Sequence, residues 1–172
     1  MKIYEVSPTK DVRRLTILTS ALFIGAVIML GVTFAFKNIP YRWAFQLIGL
    51  GMLTIGIFYL TRYLKRSYVY SLIKTDNGVD LTVTEISGRH TITVCRISTA
   101  NIEEIYTACP ADSQQMKEAM AKAKANKRKQ YNYTVDMFGD KCIFLLCTEC
   151  DEPLAIRLSY DEGLMNALEV KE

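Results

Sequence analysis

Histidine occurs once in this 172-residue chain, proline four times and glycine nine times. The lone His90 would have to serve any histidine-based triad by itself. There is no Gly-x-Ser-x-Gly elbow and no phosphate-binding glycine loop, since Gly88 and Gly139 stand alone in turns. So little proline and glycine excludes a collagen-like or low-complexity chain. An excess of one charge is also lacking. Lys and Arg number 21 against 18 Asp and Glu, and this net +3 does not by itself argue for nucleic acid. What is plentiful is apolar. Half the residues are hydrophobic, which excludes wholesale disorder. The length allows one ordinary domain, or one small domain with membrane segments, and excludes a large multidomain enzyme.

Charge is missing altogether from two stretches. Leu15 to Phe36 is uncharged over 22 positions, and Trp43 to Thr61 over 19. As helices they would extend roughly 33 and 28 Å, enough for a hydrocarbon core of about 30 Å. Only Lys37 to Arg42 separates them, which demands a tight antiparallel hairpin. Tyr41 and Trp43 fall at one interface, and Tyr59 and Tyr63 near the other. The first run is too long for the apolar part of a signal peptide. Residues 1–14 therefore read as a cytoplasmic N-terminal segment and 15–63 as a two-helix transmembrane hairpin.

Orientation follows from the flanking cations. Lys2, Lys10, Arg13 and Arg14 precede the first run, and Arg62, Lys65 and Arg66 follow the second. Only Lys37 and Arg42 lie between. Both termini are expected on the cytoplasmic side of the cell membrane. Ala21 and Gly25, with Gly49 and Gly56, are the small residues expected where the two helices pack. No ionisable residue interrupts either run, which argues against an ion or proton path.

The first 64 residues hold seven basic and two acidic side chains, net +5; the remainder hold fourteen and sixteen, net −2. Residues 66–172 read as a cytoplasmic, mainly β domain. Ser67 to Lys74 and Val79 to Thr84 flank Asp76-Asn77-Gly78, a hairpin signal. Thr91 to Ile97 and Ile102 to Thr107 follow as strands. Tyr131 to Met137 alternates as a half-buried strand, and Cys142 to Cys147 is apolar enough to be central. Leu154 to Leu158 closes the β pattern. Ser159 and Glu162 fit a capping box opening a terminal helix with Leu164, Met165 and Leu168 as its apolar stripe.

Four strands, an interruption, three strands and a final helix, with "TDNGVDLTV" and "GRHTITVCRI", resemble the bacterial membrane-anchored pleckstrin-homology-like (PH-like) domains. The resemblance spans about residues 66–170. It implies a barrel of about seven antiparallel strands with a C-terminal capping helix, used as a binding module or scaffold. The basic cluster of inositide-binding members is missing, for that region offers Lys74 against Asp76 and Asp80.

Cys147-Thr148-Glu149-Cys150 is a single CxxC. Cys147 and Cys150 are its metal candidates, but zinc would want two further ligands, and Cys95, Cys109, Cys142 and His90 form no second close pair. The insertion at about 110–130 is the most distinctive segment. Asp112 or Ser113 is placed to cap a helix in which Lys117, Lys122, Lys124, Lys127, Arg128 and Lys129 face one Glu118. These six cations are the candidate contacts to anionic lipid head groups or a protein partner. No aromatics interleave with them, so no nucleic acid is expected. No catalytic constellation and no cofactor site is legible. The reading is a non-enzymatic, membrane-anchored cytoplasmic binding module or scaffold with a protein partner still to be found. An accessory subunit of a larger membrane complex is the first alternative, and a CxxC-based metal or redox sensor the second.

Overall fold

The computed structural model describes residues 1–36, 40–76, 78–108, 114–135 and 141–169. The chain divides into two compact units. One is residues 11–66; the other joins residues 1–10 to the chain from Ser67 onward.

The first unit is a pair of helices, α1 (Val12–Ala35) and α2 (Arg42–Tyr59). Asp11 caps α1 by accepting from the Arg14 amide at 3.1 Å. Both helices are long and apolar enough to cross a membrane, and only 17% and 11% of their apolar windows are buried. Ile24, Val27, Phe34, Leu47, Leu50 and Phe58 all face outward. A core helix of a soluble domain would hide such side chains. Four threonine hydroxyls are satisfied within their own helix. Thr19, Thr33, Thr54 and Thr61 donate back to the carbonyls of Leu15, Leu30, Leu50 and Ile57. Such back-bonding suits hydroxyls on an apolar helix. α2 runs on into a π-helical turn, Leu60–Leu64, closed by the Lys65 amide on the Leu60 carbonyl at 3.0 Å.

Thr19, Ala26 and Thr33 recur every seven residues on α1 and are buried, as are Gly49 and Gly56 on α2. A seven-residue step returns to the same helix face every two turns. A Cβ on Gly49 would stand 3.0 Å from Leu30 Cγ, and one on Gly56 3.4 Å from Phe23 Cζ. Gly25 faces the end of the Met52 side chain. Ala21 is off this period and exposed; Ala26 occupies the buried place instead.

The second unit holds eight strands among the described residues: β1 (Lys2–Val6), β2 (Arg66–Thr75), β3 (Gly78–Ser87), β4 (His90–Ser98), β5 (Ile102–Ala108), β6 (Lys129–Asn132), β7 (Cys142–Glu149) and β8 (Glu152–Ser159). With them go α3 (Gln114–Ala125) and α4 (Glu162–Glu169). One sheet has the order β1-β2-β3-β4 and the other β5-β7-β8-β6. The expected closed barrel of about seven strands does not form. Between β4 and β5 a short 3-10 turn, Thr99–Asn101, carries the chain from one sheet to the other. The N-terminal β1 adds an unforeseen edge to the first sheet, pairing antiparallel with β2 from Lys2–Ile73 to Val6–Tyr70. β6 joins β8 in parallel, the one parallel pair described.

One core lies between the sheets. Tyr68, Tyr70, Leu72, Leu81, Val83 and Ile97 come from the first, and Ile143, Leu145, Cys147, Ile156 and Leu158 from the second, with Leu164 and Leu168 of α4. Tyr70 is fully buried, and its hydroxyl is spoken for: it donates to the Tyr133 carbonyl at 2.7 Å and accepts from the Ser159 amide at 3.1 Å. β7 is central, with β5 and β8 on either side. Its alternate residues Cys142, Phe144 and Leu146 face a second apolar cluster made with α3.

Two local expectations change. β6 ends at Asn132, short of the expected Tyr131–Met137 strand. The Asn132 side-chain oxygen accepts both the amide and the hydroxyl of Thr134, at 3.1 and 2.8 Å, and turns the chain. Met137 lies outside the described residues. The cap of α4 is Asp161, not Ser159. Asp161 Oδ1 accepts from the Leu164 amide at 2.8 Å, while Ser159 is still paired with Cys142 in the ladder and accepts from the Val135 amide.

Candidate functional site

The basic insertion is a helix docked on the sheet. Met116, Ala119 and Ala123 of α3 are fully buried against Tyr106, Phe144, Leu146 and Ala155. Their spacing of three and four places them on one stripe. Burying Met116 alone contributes roughly 2 kcal/mol. Met120, one turn from Met116, stays partly exposed. Asp112 and Ser113 lie outside the described residues. α3 closes with Lys127 in the left-handed region (φ 50°) and the Arg128 amide bonded to the Ala123 carbonyl at 2.9 Å, a Schellman-type ending.

This docking divides the six cations. Lys122 pairs with Glu104 at 2.8 Å and bonds the Tyr106 hydroxyl. Lys129 pairs with Glu152 at 2.6 Å. The Arg128 side chain is only 7% exposed; it donates to the Cys147 carbonyl at 2.9 Å and to Glu103 at 2.5 Å. Lys117, Lys124 and Lys127 are exposed and meet no acid among the described residues. The hydrogen bonds from Thr148 and then Arg128 hold Glu103 below the usual carboxylate range. Those from Lys122 and then Tyr106 do the same for Glu104.

The CxxC is split by burial. Cys147 sits in the core of β7, where burial pushes its thiol up to about 12. Cys150 is exposed in the β7–β8 turn, where it and Asp151 both have positive φ, 50° and 63°. Burial also raises Cys95, to about 11. Thiols held this high are poor thiolates. Among the described residues no three His, Cys, Asp or Glu side chains are grouped to hold a metal ion. His90 is exposed and opposite Ser87 in the β3–β4 hairpin. Cys109 lies outside the described residues.

A groove of about 560 Å3 opens where the chain leaves β1. Val6, Ser7, Pro8 and Thr9 form one wall. Lys141 and Cys142 at the start of β7 form the other, with Arg157, Ser159, Tyr160, Asp161 and Thr134. Its volume is that of a small-molecule site. The Lys141 ammonium stands 5.2 Å from the Tyr160 ring centroid. Arg157 Nε is buried without an acceptor among the described residues. Asp161, besides capping α4, accepts from the Tyr4 hydroxyl at 2.6 Å, and that bond raises the Tyr4 phenol above its ordinary value. Sequence reasoning missed this groove. Its walls are brought together from residues about 150 positions apart, and no local motif marks either.

Comparison with protein-family models, with characterised proteins and with solved structures gave no match to this chain.

Proposed function

We propose that this protein is a membrane-anchored binding module or scaffold without enzymatic activity, with both termini and the β unit on the cytoplasmic side. The observation that carries it is the pairing of β1 with β2. These neighbours flank the apolar helix pair in sequence, so they can pair only if an even number of crossings separates them. Two spans satisfy that, and the cation-rich flanks favour the cytoplasmic side. The succession of antiparallel strands and a terminal helix supports a PH-like reading of the domain, with binding as its expected role.

Contact with the anionic leaflet then falls to Lys117, Lys124 and Lys127. Each contributes about 1 kcal/mol near such a surface. Because the apolar stripe of α3 is spent on the sheet, this contact is electrostatic, without insertion. Reporter fusions at each end test the topology; opposite sides would sink the reading. Amine footprinting of the full chain in nanodiscs tests the lysines. Phosphatidylglycerol should shield these three more than phosphatidylcholine does, and equal labelling ends the leaflet role.

The accessory-subunit reading draws on Gly31 and Gly51, where an added Cβ would meet nothing within 4 Å. Such outward small residues suit a further helix. Co-purification of a membrane partner that Gly31→Leu and Gly51→Leu abolish would favour it.

A further inference from the structure

We propose that the groove beside β1 is a binding site for a phosphate group, supplied either by a phospholipid headgroup or by free phosphate. The inference deepens the membrane-anchored reading and rests on it only for the lipid source.

Two cations line the groove, Lys141 and Arg157, and neither forms an ion pair with a described residue. This is unlike Lys122, Arg128 and Lys129, each matched to a carboxylate. The Arg157 Nε–H is buried and meets no acceptor among the described residues, and a guanidinium left with an unmade hydrogen bond is destabilising, a cost that an anion reaching this side chain would reduce. By alternation Arg157 lies on the outer face of β8 with Ala155, away from the core side of Ile156 and Leu158. The one acid among the described lining residues, Asp161, is engaged by Tyr4 and the Leu164 amide. Among the described lining residues Lys141, Arg157 and Asp161 sum to net +1.

The chemistry of the wall selects the anion. A guanidinium fork, an ammonium and the hydroxyls of Ser7 and Thr9 give more donors than one carboxylate uses. A tetrahedral oxyanion with three or four acceptor oxygens suits them better. A groove of about 560 Å3 also has room for substituents on that phosphate. Thr9, in the wall, is three residues ahead of Val12, where α1 begins. In the membrane-anchored reading, headgroup phosphates lie at the level where that helix enters.

The test uses the full chain in a neutral maltoside detergent. Calorimetric titration with inorganic phosphate should show one site. Lys141→Ala and Arg157→Gln should each weaken it about ten-fold or more, the loss of one charge-assisted hydrogen bond. Lys74→Gln with Arg89→Gln, exposed cations outside the groove lining, should leave it unchanged. Native mass spectrometry should show one phosphatidylglycerol retained in preference to phosphatidylcholine, and lost in the same two variants. Phosphate binding without lipid retention supports the site with free phosphate as its source. No binding of either, or binding indifferent to both substitutions, overturns it. If Arg157→Gln fails to fold, the exposed-end substitution Lys141→Ala still decides. Anchoring confirmed by reporters with no phosphate bound removes only the groove's assignment. Phosphate bound by a chain that is not anchored removes only the membrane reading.

Discussion

The guanidinium of Arg128 donates to the backbone carbonyl of Cys147 at 2.9 Å. A bulge at Glu103 shifts the β5–β7 register next to Cys147, and Arg128 bonds Glu103 as well. Arg128→Ala should therefore cost about 2 kcal/mol, because a sheltered carbonyl loses a charged donor. Lys127→Gly, one residue earlier, should stabilise by up to about 1 kcal/mol by relieving its positive φ. Denaturant midpoints of the two variants should move in opposite directions.

The two depressed carboxyls beside α3 set an acid limit. Glu103 and Glu104 have folded-state pKa values below those of the unfolded chain. Their contribution is complete above the ordinary carboxylate range and disappears as pH falls through the lower, folded values. Stability should decline on acidification across that window. Glu103→Gln should flatten the decline; an unchanged slope in the variant would remove Glu103 as its source.

The turn at Cys150 and Asp151 holds two consecutive left-handed residues, neither a glycine. Two-residue hairpin turns of this kind favour Asn-Gly. Cys150→Asn with Asp151→Gly should raise stability by about 1 kcal/mol. The same turn makes Cys150 the reactive thiol. In a Cys109→Ser background, a maleimide at neutral pH should modify Cys150 and spare Cys95 and Cys147 until denaturant is added.

The helix pair gives a contrast between two glycines. Gly49→Val drives a side chain into Leu30 and Met29 and should cost about 1–3 kcal/mol. Gly51→Val meets open space and should change stability by less than about 0.5 kcal/mol. Thermal melts in detergent, followed by helical circular dichroism, measure both.

Removing residues 11–66 should leave a folded, water-soluble domain. Val6 stands opposite Tyr70 and Ser67 to Tyr70 stay in β2, so residues 7–10 remain to form the connecting loop. A chain started at Ser67 loses β1 and the Tyr4–Asp161 bond, and should melt at lower temperature than the internal deletion.

Much of this was legible in the sequence. The two apolar helices, the hairpin strands around Gly78 and Gly88, and the buried β7 follow from runs and alternation that need no tertiary information. β1 was not legible, because "KIYEV" finds its partner 64 or more residues later. The fate of the six cations was equally hidden. Lys122 and Lys124 look alike in sequence, and only the position of Glu104 on β5 separates them. Ser159 offered a plausible cap until ladder pairing claimed it and Asp161 took the role. The groove was invisible because its cations, Lys141 and Arg157, start and end different strands.

The β1–β2 pairing also fixes an order of events during synthesis. β1 precedes both apolar helices in the chain, and its sheet partner among the described residues, β2, follows them. The first sheet therefore cannot close until the helix pair has been translated. In the membrane-anchored reading, a chain with one helix misplaced across the bilayer leaves β1 on the wrong side. The backbone groups of β2 that face β1 are then left open as an unpaired edge, the form that chaperones and proteases bind. On that reading, completion of the sheet reports that both helices have been placed.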